Sequence, residues 1–184
     1  SLGAAARYGN GDVQWLTAGN GIQHAEMFPL FDKINTNSID FFQIWVNLPA
    51  LHKRVKPYFS MFWADQVPVI NIQDSNGNMT EVTVVAGQYG RSKLPNPPPD
   101  SWASDPKSDL AMWIIKLQSN AEWVLPATSL TANRSLYIVN GKGIKIGTQF
   151  INARNQVEII PDIDVTITDN GGGTKLLLLQ GEPI

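Results

Sequence analysis

Residues 135–146 read Ser-Leu-Tyr-Ile-Val-Asn-Gly-Lys-Gly-Ile-Lys-Ile, two short runs of β-branched and aromatic residues joined by a turn. Strands favour such side chains, whereas the dipeptide Asn140-Gly141 accepts the positive φ angles that tight turns need. A second dipeptide of this kind is Asn170-Gly171, and glycine and proline divide the rest of the chain into similar short pieces. Short strands between turn signals predict an antiparallel sandwich or barrel, so we expect an all-β protein.

Ten runs are the candidate strands. They are residues 13–16, 41–48, 67–72, 81–85, 110–117, 135–139, 143–146, 157–160, 164–168 and 175–179. The stretch 107–125 has no glycine or proline and is ambiguous between helix and strand, but its centre, Trp113-Ile114-Ile115, is apolar on both faces and predicts a buried strand. Residues 94–100 carry too many prolines to continue a sheet and predict a stiff surface loop. Residues 49–57 predict a linker between two β units.

The composition excludes several classes of protein. Among 184 residues the net charge is −2 and only 16% are charged, against roughly 25% in a typical domain, which argues against a basic nucleic-acid-binding module. No apolar run approaches the ~18 residues that span a bilayer. The absence of cysteine excludes disulfides, thiolate metal sites and cysteine nucleophiles. Residues 1–6 do not have the pattern of a signal peptide, which favours an intracellular protein.

One pair of side chains suggests chemistry. His24 and Glu26 are two residues apart, and on a strand this spacing places both on one face, with Ala25 on the other, after a turn supplied by Gly19 and Gly21. Imidazole and carboxylate together suit divalent iron, copper, nickel, manganese or zinc. The more common interpretation of such a pair is a surface hydrogen bond, and two ligands do not complete a tight site. The other histidine, His52, lies among basic residues and predicts a solvated edge.

The segment around this pair closely resembles a known motif. Residues 11–27, Gly-Asp-Val-Gln-Trp-Leu-Thr-Ala-Gly-Asn-Gly-Ile-Gln-His-Ala-Glu-Met, are similar to the second half of the metal-binding motif of the pirin family of two-domain cupins. Residues 42–49, 85–87 and 178–184 resemble later parts of that family in the same order. The resemblance implies two cupin-type antiparallel β-barrels, a bicupin whose first barrel is incomplete. Residues 1–55 would be the C-terminal part of the metal-site barrel, and residues 56–184 a second barrel without metal, in which residues 59–184 contain no histidine.

The resemblance also implies a ligand set. In the family, three histidines and one glutamate hold a mononuclear divalent metal, for which iron is the first expectation and copper, nickel, manganese and zinc are alternatives. His24 and Glu26 match two of these ligands. The other two come from a His-Pro-His segment that precedes the part matched by Ser1-Leu2-Gly3, and this chain contains no such segment. We therefore expect a piece of a longer family member, also short of the family's C-terminal tail, that binds metal weakly or not at all by itself.

Two functions follow from the resemblance. The first is a quercetin 2,3-dioxygenase-type oxidoreductase acting on a flavonol or similar small molecule, with Glu26 as a ligand or as the base that deprotonates the substrate. The alternative is a non-enzymatic metal-binding transcriptional co-regulator or interaction module, with a protein partner such as a transcription factor near Lys53, Arg54 and Lys56. A third interpretation is a metal-dependent housekeeping protein.

Residues 1–6 favour the cytoplasm, and the resemblance adds the nucleus in a eukaryote. The net charge of −2 and the lack of a long apolar run argue against direct contact with nucleic acid or a membrane. Strand edges that remain unpaired in an incomplete barrel favour disorder near residues 1–10 or self-association of the chain.

Overall fold

The computed structural model describes residues 3–93 and 95–184, so that Ser1, Leu2 and Leu94, and the expectations that fall on them, lie outside the described residues. The regular structure is nearly all strand, as the sequence predicts. Within the described ranges, helix is confined to three 3-10 turns at Ala50–His52, Trp102–Ser104 and Pro106–Ser108. No helix in these ranges combines the length and the apolar character needed to cross a membrane.

Fourteen strands form the described part of the fold. In chain order they are β1 (Val13–Thr17), β2 (Tyr58–Phe62), β3 (Val69–Gln73), β4 (Met79–Ala86), β5 (Gln88–Tyr89), β6 (Ser92–Lys93), β7 (Ala111–Leu117), β8 (Glu122–Leu125), β9 (Asn133–Asn140), β10 (Ile144–Ile146), β11 (Gln149–Ile151), β12 (Gln156–Glu158), β13 (Val165–Asp169) and β14 (Thr174–Gly181).

Two antiparallel sheets pack together over residues 69–181. One has six strands in the order β12-β9-β14-β7-β4-β3, and the other has four in the order β11-β10-β13-β8. Both contribute to a single buried apolar cluster, which includes Val82, Ile115 and Leu176 from the first sheet and Ile144 and Ile167 from the second. This arrangement confirms the predicted all-β fold. We call this body the large β unit.

Alternation along β4 shows why these sequences form strands. Every second residue from Thr80 to Ala86 is buried, while the residues between them are only half-buried. The pairing of β4 with β7 shifts register between Val84 and Ala86, and Gly87 follows with a φ of +76°. A Cβ at Gly87 would lie 2.2 Å from the carbonyl oxygen of Leu110, so only glycine fits at this corner.

The strand prediction for residues 107–125 is confirmed. β7 belongs to the six-stranded sheet and β8 to the four-stranded one, so the chain crosses between the sheets at residues 118–121. Trp113 and Ile115 are buried in the shared core, and Ile114, on the opposite face of β7, is half-buried. The side chains of residues 113–115 are thus at least half-buried on both faces of β7, which explains why both faces are apolar there. The proline-rich residues 95–100 contain no strand, also as predicted.

The predicted strand over residues 41–48 is wrong. β1 pairs with β2 in a separate two-stranded sheet, and residues 18–49 contain no strand. Their side chains suit a strand, but a strand needs a neighbouring backbone edge, and none of the described residues provides one. The segment lies instead over the large β unit, where Lys175 pairs with Asp40 and its ammonium stands 4.8 Å from the centre of the Phe42 ring. β2 lies after the predicted linker at residues 49–57, and yet it pairs with β1, which lies before that linker. The proposed boundary between residues 55 and 56 stays a prediction.

Candidate functional site

The predicted ligands follow a tight turn at the end of β1. The backbone N–H of Gly21 donates to the carbonyl oxygen of Ala18 over 2.9 Å, and the N–H of Asn20 donates to Val55 over the same distance. Gly19 has a φ of +51°, and a Cβ on it would lie 2.1 Å from the carbonyl oxygen of Val55. The turn predicted at Gly19 and Gly21 is therefore present, and it fixes where the segment with His24 leaves β1.

His24 and Glu26 do not lie on a strand, so the strand geometry predicted for them is wrong. Residues 21–49 form no strand and pair with none of the described strands. His24 is exposed, whereas Glu26 is half-buried. Spacing by two residues places side chains on one face only where a ladder holds the backbone extended. The assignment of the two side chains as metal ligands does not depend on the strand and stays a prediction.

Tyr8 is a neighbour of Glu26 that the sequence does not reveal. Its hydroxyl donates a hydrogen bond to the Glu26 carboxylate. Burial raises the pKa of Tyr8, and the negative charge of Glu26 together with this hydrogen bond raises it further, which keeps the phenol protonated as a donor. Tyr8 is placed by the following turn, in which the Asp12 carboxylate accepts the N–H of Gly9 at 3.0 Å and the N–H of Ala64 at 2.8 Å.

The described residues do not form a complete metal centre. Among residues 3–93 and 95–184, no group of three or more histidine, cysteine, aspartate or glutamate side chains is placed to hold a metal ion. His24 and Glu26 supply one nitrogen and one oxygen donor, whereas a tight site has three or four protein ligands. The donor set therefore fits half of a metal centre.

His52 serves another purpose, so the prediction of a solvated position for it is wrong. The residue is half-buried, and its Nδ1 lies 3.0 Å from the carbonyl oxygen of Asp100. Because a carbonyl oxygen can only accept, Nδ1 carries the proton and donates. This bond ties the 3-10 turn that begins at Ala50 to the end of the proline-rich loop.

Large apolar side chains are exposed around the predicted ligands. Met27 is 90% exposed, Ile34 is 93% and Trp45 is 90%. Phe28 and Phe41 meet edge to face, with ring centres 5.7 Å apart. The segment after β1 thus combines two candidate ligands with an uncovered apolar surface.

Comparison with known proteins identifies relatives of this chain. The family model called Pirin matches residues 1–46. A Pseudomonas aeruginosa protein named "Putative quercetin 2,3-dioxygenase" is 29% identical over all of this chain and 60% of its own length. Pirin-1 of Arabidopsis thaliana is 31% identical over 95% of this chain and 55% of its own length. The chain thus spans little more than half the length of these two relatives.

A solved structure shares the fold. The crystal structure of quercetin 2,3-dioxygenase from Acinetobacter baumannii superposes with a TM-score of 0.66 at 20% identity, covering 94% of this chain and 56% of that one. At this identity the likeness concerns the fold alone, and it agrees with the all-β cupin architecture.

Proposed function

Since the chain belongs to the pirin family, we propose that it is part of a metal-dependent dioxygenase of the quercetin 2,3-dioxygenase type, acting on a flavonol or a similar small molecule. The observation that carries this proposal is the relationship with the Pseudomonas aeruginosa protein, which extends over all of this chain. The presence of His24 and Glu26 after the turn at Gly19 and Gly21 supports it.

In this proposal His24 is a neutral nitrogen ligand and Glu26 is either an oxygen ligand or the base. The other ligands come from outside the described residues, because those residues gather no third candidate. Iron is the proposed metal, with copper, nickel, manganese and zinc as alternatives. All five accept imidazole nitrogen, so the donor pair does not distinguish them.

Proton transfer is the step for which this chain offers residues. As a base, the Glu26 carboxylate takes the proton of the substrate hydroxyl. The hydrogen bond from Tyr8 occupies part of the carboxylate and holds it in place. Because the raised pKa of Tyr8 keeps the phenol protonated, Tyr8 positions Glu26 and does not compete with it for the proton.

Metal analysis beside a quercetin-cleavage assay tests the proposal. The chain of 184 residues is compared with a version extended upstream by the family's His-Pro-His segment. We expect one equivalent of metal and cleavage in the longer version, and loss of both in its His24→Ala variant. His52→Ala is the matched control, because it removes the other histidine of the chain and should leave metal content unchanged. Full metal content in the 184-residue chain, or in the His24→Ala variant, would contradict the ligand assignment.

Protein interaction is a second candidate function, favoured by the exposed apolar side chains between Met27 and Trp45. Exposed apolar patches mark contact sites, and we take self-association, one of the outcomes that the sequence favours beside a partner such as a transcription factor, as the interaction to test. Sedimentation velocity should show concentration-dependent association that the double variant Ile34→Ser, Trp45→Ser reduces. Leu130→Ser is the matched control, since Leu130 is 71% exposed on the large β unit. A monomer at all concentrations would contradict the interaction.

A further inference from the structure

A cavity of about 690 Å³ opens at one end of the large β unit, away from the candidate metal ligands. Its rim includes the β5–β6 hairpin, the proline-rich loop and the two 3-10 turns that follow it. Tyr89, Pro97, Leu110, Trp113 and Pro126 provide apolar and aromatic wall. Cavities of this volume are typical of small-molecule sites.

The six-stranded sheet forms the floor of the cavity. Along its strands, the inward side chains are apolar in the core and polar where they reach the cavity. In the register, Arg134 of β9 lies opposite Gln180 of β14, and Gln180 lies opposite Ala111 of β7. Two residues deeper along the same strands, Leu136 and Leu178 are fully buried in the core. Since alternate residues of a strand share a face, Arg134 and Gln180 belong to the inward face of the unit.

These two side chains have hydrogen-bonding groups without partners. Arg134 is 2% exposed, and among the described residues its guanidinium makes one hydrogen bond, from Nη1 to the carbonyl oxygen of Pro161 at 3.4 Å. Burial lowers the pKa of Arg134, and the negative charges of Asp109 and Asp164 partly offset this effect. In the part of the chain that the structure describes, Nε of Arg134 and Oε1 of Gln180 are buried and meet no partner. The amide orientation of Gln180 is fixed, because its Nε2 donates over 2.9 Å to the Asp109 carbonyl oxygen, which can only accept.

A buried guanidinium with five donors and one long hydrogen bond is costly unless an acceptor binds it. Two carboxylates line the cavity, but both are engaged elsewhere. The Asp109 carboxylate accepts from Thr128 Oγ1 and from the backbone N–H of Ser129, and Asp105 accepts the N–H of Lys107 at 2.8 Å. Arg134 therefore keeps N–H donors that an acceptor on a bound molecule can satisfy.

The balance of charge limits what that ligand carries. Four charged residues line the cavity, namely Lys93, Arg134, Asp105 and Asp109, and their formal charges cancel. A polyanion such as a phosphate ester would meet two carboxylates with only two cations to offset them. A single carboxylate group on an apolar body matches both the wall and the one buried guanidinium, and Arg binds carboxylates through paired N–H donors.

We propose that this cavity is a second small-molecule site, which binds a monocarboxylate with an aromatic or aliphatic body, its carboxylate against Arg134 and its body against Trp113 and Tyr89. The site does not use His24 or Glu26 and is independent of the metal proposed there.

Calorimetric titration of the 184-residue chain with trans-cinnamate, in the presence of EDTA, tests the proposal. EDTA removes free metal, so a carboxylate bound to a metal does not contribute to the signal. We expect one molecule bound per chain. Gln180→Glu keeps the shape of the side chain and places a carboxylate beside Arg134, so it should weaken binding at least tenfold. Gln149→Glu is the matched control, because it makes the same change at an exposed position of β11 and should leave affinity unchanged.

A second variant tests the same site in case Gln180→Glu does not fold. Ala127 is exposed at the rim of the cavity, so Ala127→Trp should block the entrance without altering the core, and binding should again fall at least tenfold. The proposal is overturned if trans-cinnamate does not bind at 10 mM, the outcome expected if water alone satisfies Arg134. Equal binding of trans-cinnamamide would overturn the carboxylate assignment, and undiminished binding to both variants would overturn the location.

Discussion

Asp169 holds the turn between β13 and β14, and its replacement by asparagine measures what that turn contributes to stability. The carboxylate is buried. Oδ2 accepts the backbone N–H of Asn120 at 3.0 Å and those of residues 171–173 at 2.8, 3.0 and 3.2 Å. Oδ1 accepts the hydroxyl of Thr174. Five donors thus converge on one charge.

The expected cost of Asp169→Asn is about 3 kcal/mol. The amide keeps the shape, and its oxygen can face the four N–H groups while its NH₂ faces Thr174, whose hydroxyl then donates to the Gly143 carbonyl oxygen 3.2 Å away. What is lost is the charge. A hydrogen bond to a charged group contributes at least about 1.5 kcal/mol, roughly twice a neutral one. Each of the four N–H bonds therefore loses about 0.75 kcal/mol, and the melting temperature of a chain this long should fall by about 6–12 °C.

Urea unfolding followed by circular dichroism at pH 7 provides the measurement. Asp162→Asn is the matched control, because Asp162 is exposed just before β13, and it should change stability by less than about 0.5 kcal/mol. If Asp169→Asn unfolds within about 1 kcal/mol of the parent, the convergence of donors on this carboxylate does not stabilise the fold as reasoned.

The pH dependence gives an independent test of the same carboxylate. Burial alone would raise the pKa of Asp169, but the hydrogen bonds from Thr174, Gly172, Asn120 and Gly173 outweigh it and hold the pKa below its usual range. The folded pKa then lies below the unfolded value of about 3.9. The contribution of the carboxylate is therefore complete above about pH 4 and is lost as the pH falls through the lowered pKa. The difference in stability between the parent and Asp169→Asn should shrink over that acid range.

Two further predictions concern the region of the candidate metal ligands. Gly19→Ala should destabilise the chain at least about 1 kcal/mol more than Gly90→Ala in urea unfolding: both glycines have positive φ angles, but only a Cβ at Gly19 meets the Val55 carbonyl oxygen. Equal effects would show that the close approach does not exist. Glu26→Gln should move the Tyr8 titration, followed by absorbance near 295 nm and identified with Tyr8→Phe, to lower pH while leaving it above its ordinary value, because burial remains. An unmoved titration would contradict the contact between the two side chains.

The sequence predicts strands well where periodicity and packing agree. Residues 81–84 alternate polar and apolar side chains, and β4 alternates burial in the same way. Residues 41–48 have an equally strand-like composition but form no strand, because composition describes what a strand accepts and cannot supply the neighbouring edge. His24 and Glu26 also have no paired neighbouring strand, so they do not share the strand face that their spacing predicts.

Contacts between distant residues were beyond prediction. Nothing in the spacing of Tyr8 and Glu26 indicates their hydrogen bond, because the turn that brings them together closes through Asp12 and Ala64. Arg134 lies in a run of strand residues and gives no signal of its own in sequence. Only the register, which sets it beside Gln180 on the inward face, shows that a charge is buried there.

The position of β14 has a consequence for the synthesis of the protein. β14 follows the other described strands of its sheet in chain order, yet it lies in the middle of the six-stranded sheet, between β9 and β7. While the chain emerges from the ribosome, the backbone edges of β9 and β7 that β14 joins stay unpaired until residues 174–181 have been synthesised. Completion of the sheet must therefore wait until β14 has been synthesised, and a nascent chain stalled before Thr174 presents two open edges on which a chaperone or another unfinished copy can pair.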